Sequence, residues 1–427
     1  MRHKTTIFYT LTDTRWSAAL FILALFSVYA VLPIFAHYLL LPNQYFVDLA
    51  QLSAIACVAI CLGYFLPLVD HRFREGAPRI AIDSQAFHVV VWGTFLVFLL
   101  ITFATADAVP IFSALKGGAT VELDEQRGEF LKGRVGVEAA LSYLSTFYVS
   151  ALLPYSLAKL FIERSRFRYL LLMLFLAFSM SFLVKSLFIY VLVPLFYLAV
   201  RQKRSILLPL SIVIGSLVLL YLMTLLAVQF DADTVAPSGG DFFDATYASS
   251  VSSGPIEFLL WRSIAVPMFT ASDTLLVFKE QLDGQLLWGA TSSFLAWIFS
   301  LERVNLERLV FAQQFGGWND LANSNSVYFT EAFANFGWGG VVLFSLFIGQ
   351  SLRWFRKSRD EAFKALWIIY CFALFSGGLI PLLLSNGYFW MFVLALFIKV
   401  KSGSRRLARR YIAAERPARV AVQHSVR

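Results

Sequence analysis

The stretch SAALFILALFSVYAVLPIFAHYLL, residues 17–40, decides the class of fold. Its 24 residues carry no Asp, Glu, Lys or Arg. They make about 36 Å of helix at 1.5 Å per residue, against a hydrocarbon layer of about 30 Å. The run is too long for a signal-peptide core and lacks a clear small-residue cleavage site, so it reads as a retained membrane helix. Working outward, comparable runs follow at 45–68, 86–106, 139–162, 169–184, 186–200, 205–226, 336–354, 362–384 and 388–400. The whole chain agrees with them. Of 427 residues 59% are hydrophobic and 15% charged, with a mean hydropathy of +0.69, whereas an ordinary soluble domain is about 45–50% apolar and about 25% charged. Disorder, a disulfide-rich secreted module and a DNA-binding domain are excluded on this arithmetic. The expected fold is all-α: one polytopic integral membrane domain over 1–427, with about 10–12 transmembrane helices.

The basic residues orient these spans. Clusters at Arg2/Lys4/Arg15, Arg72/Arg74/Arg79, Arg164/Arg166/Arg168, Arg201/Lys203/Arg204 and Arg353/Arg356/Lys357/Arg359 join Lys159, Lys364 and the tail from Lys399 on one face of a ten-helix arrangement. They hold 27 of the 36 lysines and arginines. That face is therefore expected to be cytoplasmic, with both termini on it, and the tail 402–427 is expected to anchor on lipid headgroups. The net charge of +9 is then mostly topology and gives no support to a nucleic-acid partner. Cys57 and Cys61 lie one helical turn apart in an apolar run with no His or further Cys beside them, so they read as packing residues and no metal site is expected.

Two segments on the opposite face exceed ordinary loop length: 107–137, and the large loop 227–335, which carries apolar stretches at 256–278 and 285–300. These stretches are expected either to lie in the outer leaflet as short helices or to add two crossings. Lys185 stands at the turn between two short apolar helices, where a lysine is costly and by default functional, unless it snorkels to the headgroups. Arg262 sits in the most apolar part of the large loop; arginine meets phosphate bidentately, although Asp273, three helical turns on, is an alternative structural partner. Arg127, Lys132 and Arg134 fall within eight residues just before a membrane helix, a candidate anion site set among Glu122, Asp124, Glu125 and Glu129. The end of the large loop, FGGWNDLANSNSVYFTEAFANFGWGG at 315–340, mixes Asp320, Asn323, Asn325 and Glu331 with the flat faces of Trp318, Tyr328, Phe333 and Trp338. Amides and carboxylates suit sugar hydroxyls, and aromatic faces suit sugar C–H groups. An interface belt is the other reading of the aromatics. No phosphate-binding glycine pattern is present, so nucleotide-driven chemistry is not expected, nor is any cofactor.

Lys185-Ser186 between short helices, Arg262 with Pro267, and Asn323-Ser324-Asn325 leading into Glu331-Ala332-Phe333-Ala334-Asn335-Phe336-Gly337 are similar to stretches of the bacterial O-antigen and oligosaccharide repeat-unit polymerases, the Wzy-type family. The likeness covers about residues 127–350. It implies an inner-membrane glycosyltransferase of the lipopolysaccharide, capsule or exopolysaccharide pathways, joining undecaprenyl-pyrophosphate-linked repeat units on the periplasmic face, so that 107–137 and 227–335 would be periplasmic loops. A flippase and a chain-length regulator would be candidate partners. The sequence departs from an Arg-x10-Gly pattern of some members: residue 138 is Glu and residue 273 is Asp, not glycine, after Arg127 and Arg262. In this reading Arg262 and Lys185, then Arg127 and Arg134, meet the pyrophosphate. Glu331 is the first and Asp320 the second candidate for a general base, and Asn323, Asn325 and Trp318 contact the glycan. Two alternatives remain. One is an O-antigen ligase, disfavoured because 227–335 contains no histidine. The other is a flippase for the same lipid-linked glycan, disfavoured by the long loop and nearly uncharged midplane.

Overall fold

A backbone surrounded by hydrocarbon has no water to bond to, so it must close its hydrogen bonds within helices. The computed structural model describes residues 6–73, 77–116, 126, 129–130, 140–181, 187–202, 207–227, 253–316 and 322–401, and these are mostly helical. In chain order they form α1 (Thr6–Thr12), α2 (Ser17–Leu39), α3 (Gln44–Phe65), β1 (Ile80–Asp83), α4 (Ser84–Ala104), α5 (Pro110–Leu115), α6 (Ala140–Glu163), α7 (Arg168–Ser181), α8 (Leu187–Arg201) and α9 (Leu207–Ala227). Then follow α10 (Pro255–Leu276), α11 (Ser293–Phe299), α12 (Leu306–Phe315), α13 (Tyr328–Lys357), α14 (Glu361–Lys364), α15 (Trp367–Phe375), α16 (Leu379–Leu384), α17 (Tyr388–Phe397) and β2 (Ile398–Lys401). Six of these, α2, α3, α4, α6, α9 and α13, are long and apolar enough to cross a membrane; α7, α8 and α17 are apolar but shorter. Asn43 and Asp83 start α3 and α4 by accepting backbone N–H groups of the first turn with their side chains.

The expected spans at 336–354 and 362–384 take different shapes from single straight helices. α13 folds back on itself. At Gly337 the backbone turns to φ 61°, ψ −154°, a conformation open to glycine and costly for other residues. Tyr328 Oη lies 2.9 Å from Ser345 Oγ, two residues that a straight helix would hold about 25 Å apart. α13 is thus a hairpin of a short arm, 328–336, and a long arm, 338–357. The expected helix 362–384 is divided between α15 and α16 at Ser376–Gly378. In the large loop, the stretch 256–278 forms α10, which runs through Pro267. The stretch 285–300 forms only the seven-residue α11.

The long arm of α13 packs along α3 with backbone against backbone. A Cβ on Gly63 would overlap the carbonyl of Leu346, and one on Gly349 that of Ile60. Small residues at such a crossing let dispersion replace the absent hydrophobic drive. Buried aromatics fill the rest of this core, with Tyr29, Phe46, Tyr328, Phe329, Phe355 and Tyr370 all under 2% exposed. A second core joins α4, α6 and α7 through Phe95, Phe98, Tyr148 and Phe178.

Most ion pairs among the described residues gather at one end, whereas Lys279–Asp48, at 2.6 Å, stands at the start of α3, away from them. Arg353 forks onto Asp70 at 2.9 and 2.6 Å, Lys159 meets Asp360 at 3.2 Å, and Lys364 meets Glu361 at 2.8 Å. The Arg353 guanidinium holds the Asp70 carboxyl below the usual carboxylate range. β1 and β2 pair in parallel at this basic end, Ile80 opposite Ile398. The turn of the α13 hairpin marks the far end. Tyr29, midway along α2, donates its hydroxyl to the carbonyl of Phe375, which places the last turn of α15 near the middle of the molecule's depth.

Candidate functional site

A cavity of about 560 Å³ occupies the half of the molecule away from the basic end. Its floor is the divided helix. Ser376-Gly377-Gly378 leaves the helical ladder between α15 and α16, and Pro381 in the first turn of α16 has no N–H to give. Unpaired backbone at such depth is tolerated where it lines a cavity rather than faces lipid.

One wall is the short arm of α13, which brings Glu331 to the cavity. Two polar side chains fix it. The Asn335 amide donates to Thr291 Oγ1 at 2.9 Å, and the Thr291 hydroxyl donates to Glu331 Oε1 at 3.0 Å. Asn335 also accepts from the N–H of Gly289 at 2.9 Å, tying the loop before α11 to the arm. The second carboxylate oxygen, Oε2, is buried and has no hydrogen-bond partner among the described residues. It rests against Gly378: a Cβ there would lie 2.6 Å from Glu331 Cδ and closer still to Oε2. The absence of a side chain at residue 378 is what lets the carboxylate occupy this position.

Arg303, Asn305 and Glu307 also line the cavity, together with the extended segment 323–326. Asn305 caps α12 by accepting the N–H of Arg308 at 3.2 Å, and the N–H of Ser324 donates to the carbonyl of Glu307 at 3.0 Å. Tyr143, Tyr190, Phe294 and Phe372 add aromatic surface. Arg303 is the one cation among the described lining residues, facing two carboxylates and a ring of amides and hydroxyls. Such a lining can hydrogen-bond several hydroxyl groups, stack a pyranose face, hold one anion and accept one proton. No group of three or more His, Cys, Asp or Glu suited to a metal ion occurs among the described residues.

The structure brings Asn323, Asn325 and Glu331 together in this cavity. Arg262 is exposed on α10 with its guanidinium 6.0 Å from the ring centroid of Phe258, and it does not line the cavity. Asp273, its alternative partner, accepts from Gln314 at 2.7 Å. Lys185, Arg127, Arg134, Asp320 and Trp318 lie outside the described residues. Sequence reasoning passed over Arg303, Glu307, Thr291 and the floor at 376–386. Arg303 and Glu307 alternate with Glu302 and Arg308 in a stretch that reads as any solvated mixed-charge loop. The only signal at the floor was the Ser-Gly-Gly sequence inside an apolar run. No protein-family model, curated protein or solved structure matches the chain.

Proposed function

We propose that the chain is a membrane glycosyltransferase that polymerises oligosaccharide repeat units carried on undecaprenyl pyrophosphate, with the far half facing the periplasm of a bacterial inner membrane. The observation that carries this reading is the Glu331 carboxylate, fixed by Thr291 and Asn335, with its unpartnered oxygen at the floor of a cavity rich in amides, hydroxyls and aromatic faces. The acceptor sugar hydroxyl displaces the Gly378 contact and gives its proton to Glu331. Its oxygen bonds to the anomeric carbon of the donor, the anomeric C–O bond to the diphosphate breaks, and the lipid diphosphate leaves with the bonding electron pair. A cation facing that leaving group stabilises the charge that grows on it. Asn323 and Asn325, which line the same cavity, hydrogen-bond the glycan.

The reading is tested by deleting the gene and profiling the lipid-linked glycans. Single repeat units on the periplasmic leaflet, restored to a polymer ladder by the intact gene but not by Glu331→Gln at equal protein level, are expected. Units held on the cytoplasmic leaflet would instead support the second reading, a flippase. That reading draws on one observation, the helix divided at mid-depth beside a cavity, a device that transporters also use.

A further inference from the structure

The chain between α6 and α7 reads Arg164-Ser165-Arg166-Phe167-Arg168-Tyr169, three arginines alternating with a serine and an aromatic residue. It lies at the basic end, just beyond Lys159. Arg353, Lys159 and Lys364 at this end each meet a carboxylate. None of the three arginines of the turn has an ion pair among the described residues. The adjoining carboxylate, Glu163, is committed to α4: it accepts from the Ser84 hydroxyl at 2.7 Å and lies 3.7 Å from His88 Nε2. α7 carries no acidic residue in its first turn, so the positive end of its dipole adds to the guanidinium charges instead of meeting a negative one. Arg164 holds the left-handed conformation at φ 56°, ψ 38°, where a helix usually places glycine. An anion from outside the chain would relieve this repulsion.

Aromatic rings position two of the arginines. The Arg166 guanidinium lies 4.6 Å from the ring centroid of Phe167, and that of Arg168 lies 4.6 Å from Tyr169 and 5.6 Å from Phe161. Arg168 Nη2 also donates to the Tyr169 hydroxyl at 3.2 Å. Stacking occupies the face of a guanidinium and leaves edge N–H groups to meet phosphate oxygens. Arg164 and Arg166 are exposed. From the turn an apolar strip continues along α7, where Tyr169, 59% exposed, Leu170, 66%, and Met173, 64%, share one face.

We propose that the turn 164–169 and the exposed strip of α7 bind an anionic glycerophospholipid of the surrounding membrane, with Arg164 and Arg166 on its phosphate and Tyr169, Leu170 and Met173 along an acyl chain. Charge complementarity selects the anionic head group: a zwitterionic lipid brings an ammonium that three arginines repel. The apolar strip that starts at the arginines selects a lipid over free phosphate. Arg168, held by the rings of Phe161 and Tyr169, positions the strip against the head group. The site stands at the end of the molecule away from the cavity and rests on no part of the glycosyltransferase reading.

The test uses the full-length protein, stripped of lipid in a neutral detergent and titrated with phosphatidylglycerol, phosphatidylcholine or inorganic phosphate, with bound species followed by native mass spectrometry. Phosphatidylglycerol is expected to bind more tightly than phosphatidylcholine. The double variant Arg164→Gln/Arg166→Gln should weaken phosphatidylglycerol at least about tenfold, the loss of charge-assisted contacts to one phosphate. Lys399→Gln/Lys401→Gln, which removes two exposed charges at the same end, should change it less than about twofold. Leu170→Asn, which alters no charge, should weaken it severalfold. Arg164→Gly guards against misfolding, because glycine relieves the left-handed backbone: its unfolding temperature should equal or exceed that of wild type while phosphatidylglycerol binds more weakly. Equal affinity of the wild type for the two lipids would overturn the site, as would unchanged phosphatidylglycerol binding by Arg164→Gln/Arg166→Gln or by Arg164→Gly. Equal losses in the two double variants would overturn it too, since the attraction would then be general charge. Displacement of phosphatidylglycerol by an equal concentration of inorganic phosphate, with Leu170→Asn binding like wild type, would show a site for free anion and not for lipid.

Discussion

Replacing Gly378 by alanine perturbs the site through one atom. The added Cβ would stand 2.6 Å from Glu331 Cδ, 3.1 Å from Pro381 Cδ and nearer than either to Glu331 Oε2. Ordinary contact begins at 3.4 Å, so the carboxyl carbon must retreat by about 0.8 Å and its oxygen by more. The backbone at Gly378, φ −72° and ψ 152°, accepts alanine without strain. The cost therefore lies in the side chain that moves. Glu331 gives up its hydrogen bond from Thr291, about 1 kcal/mol net, and takes a less favourable rotamer at about 0.5–1.5 kcal/mol. The expected destabilisation is about 1.5–2.5 kcal/mol, and a reactive group displaced by close to 1 Å loses about a hundredfold in rate. A double-mutant cycle separates this mechanism from general damage. Unfolding of the detergent-solubilised protein is followed for wild type, Gly378→Ala, Glu331→Ala and the double variant. Gly378→Ala should cost less than about 1 kcal/mol in the Glu331→Ala background, where only the Pro381 contact is left. An equal cost in both backgrounds would refute the claim that residue 378 acts through the carboxylate.

Further outcomes follow from the same contacts. Asn335→Leu removes the partner of the Gly289 N–H and of Thr291; it should lower stability by about 1–3 kcal/mol and loosen the loop before α11, seen as faster amide exchange over 285–292. Gly349→Leu forces a side chain into the carbonyl of Ile60 at the crossing with α3, so the protein should fail to accumulate in membranes or unfold at a markedly lower temperature. Acid should weaken the basic end. The folded-state affinity of Asp70 for a proton is reduced by Arg353, so its contribution to stability is present above the usual carboxylate range near pH 4 and is lost as pH falls below it. Asp70→Asn should flatten that part of the stability–pH curve; an unchanged curve would show that the Asp70–Arg353 pair contributes no linkage.

The membrane class was legible because an apolar run of about 20 residues has few other uses. Two elements within it were not. Residues 362–384 read as one span since glycine is common in membrane helices, and nothing local distinguishes a packed Gly-Gly from one where the ladder opens. The short arm 328–336 was hidden because its Tyr328 and Phe329 resemble an interface belt, and only the pairing of Tyr328 with Ser345 reveals the reversal at Gly337. In the cavity, Glu331, Asn323 and Asn325 stood out as polar groups among aromatics. Arg262 stood out for the same reason, yet its helix turns it away from the cavity, whereas Arg303 stood among neighbours of both signs and arrives there through a turn at Ser300. Sequence contrast identifies a costly residue; only the path of the chain decides what that residue faces.

The activity proposed for this cavity is the joining of sugars. The most direct measurement is chain growth by the purified protein in proteoliposomes supplied with one undecaprenyl-pyrophosphate-linked repeat unit and no nucleotide sugar. Glycans two and more units long, appearing with an equal release of undecaprenyl pyrophosphate and abolished by Glu331→Gln, are the expected result. Persistence of the single unit with wild-type protein, or equal polymer from wild type and Glu331→Gln, would contradict the account.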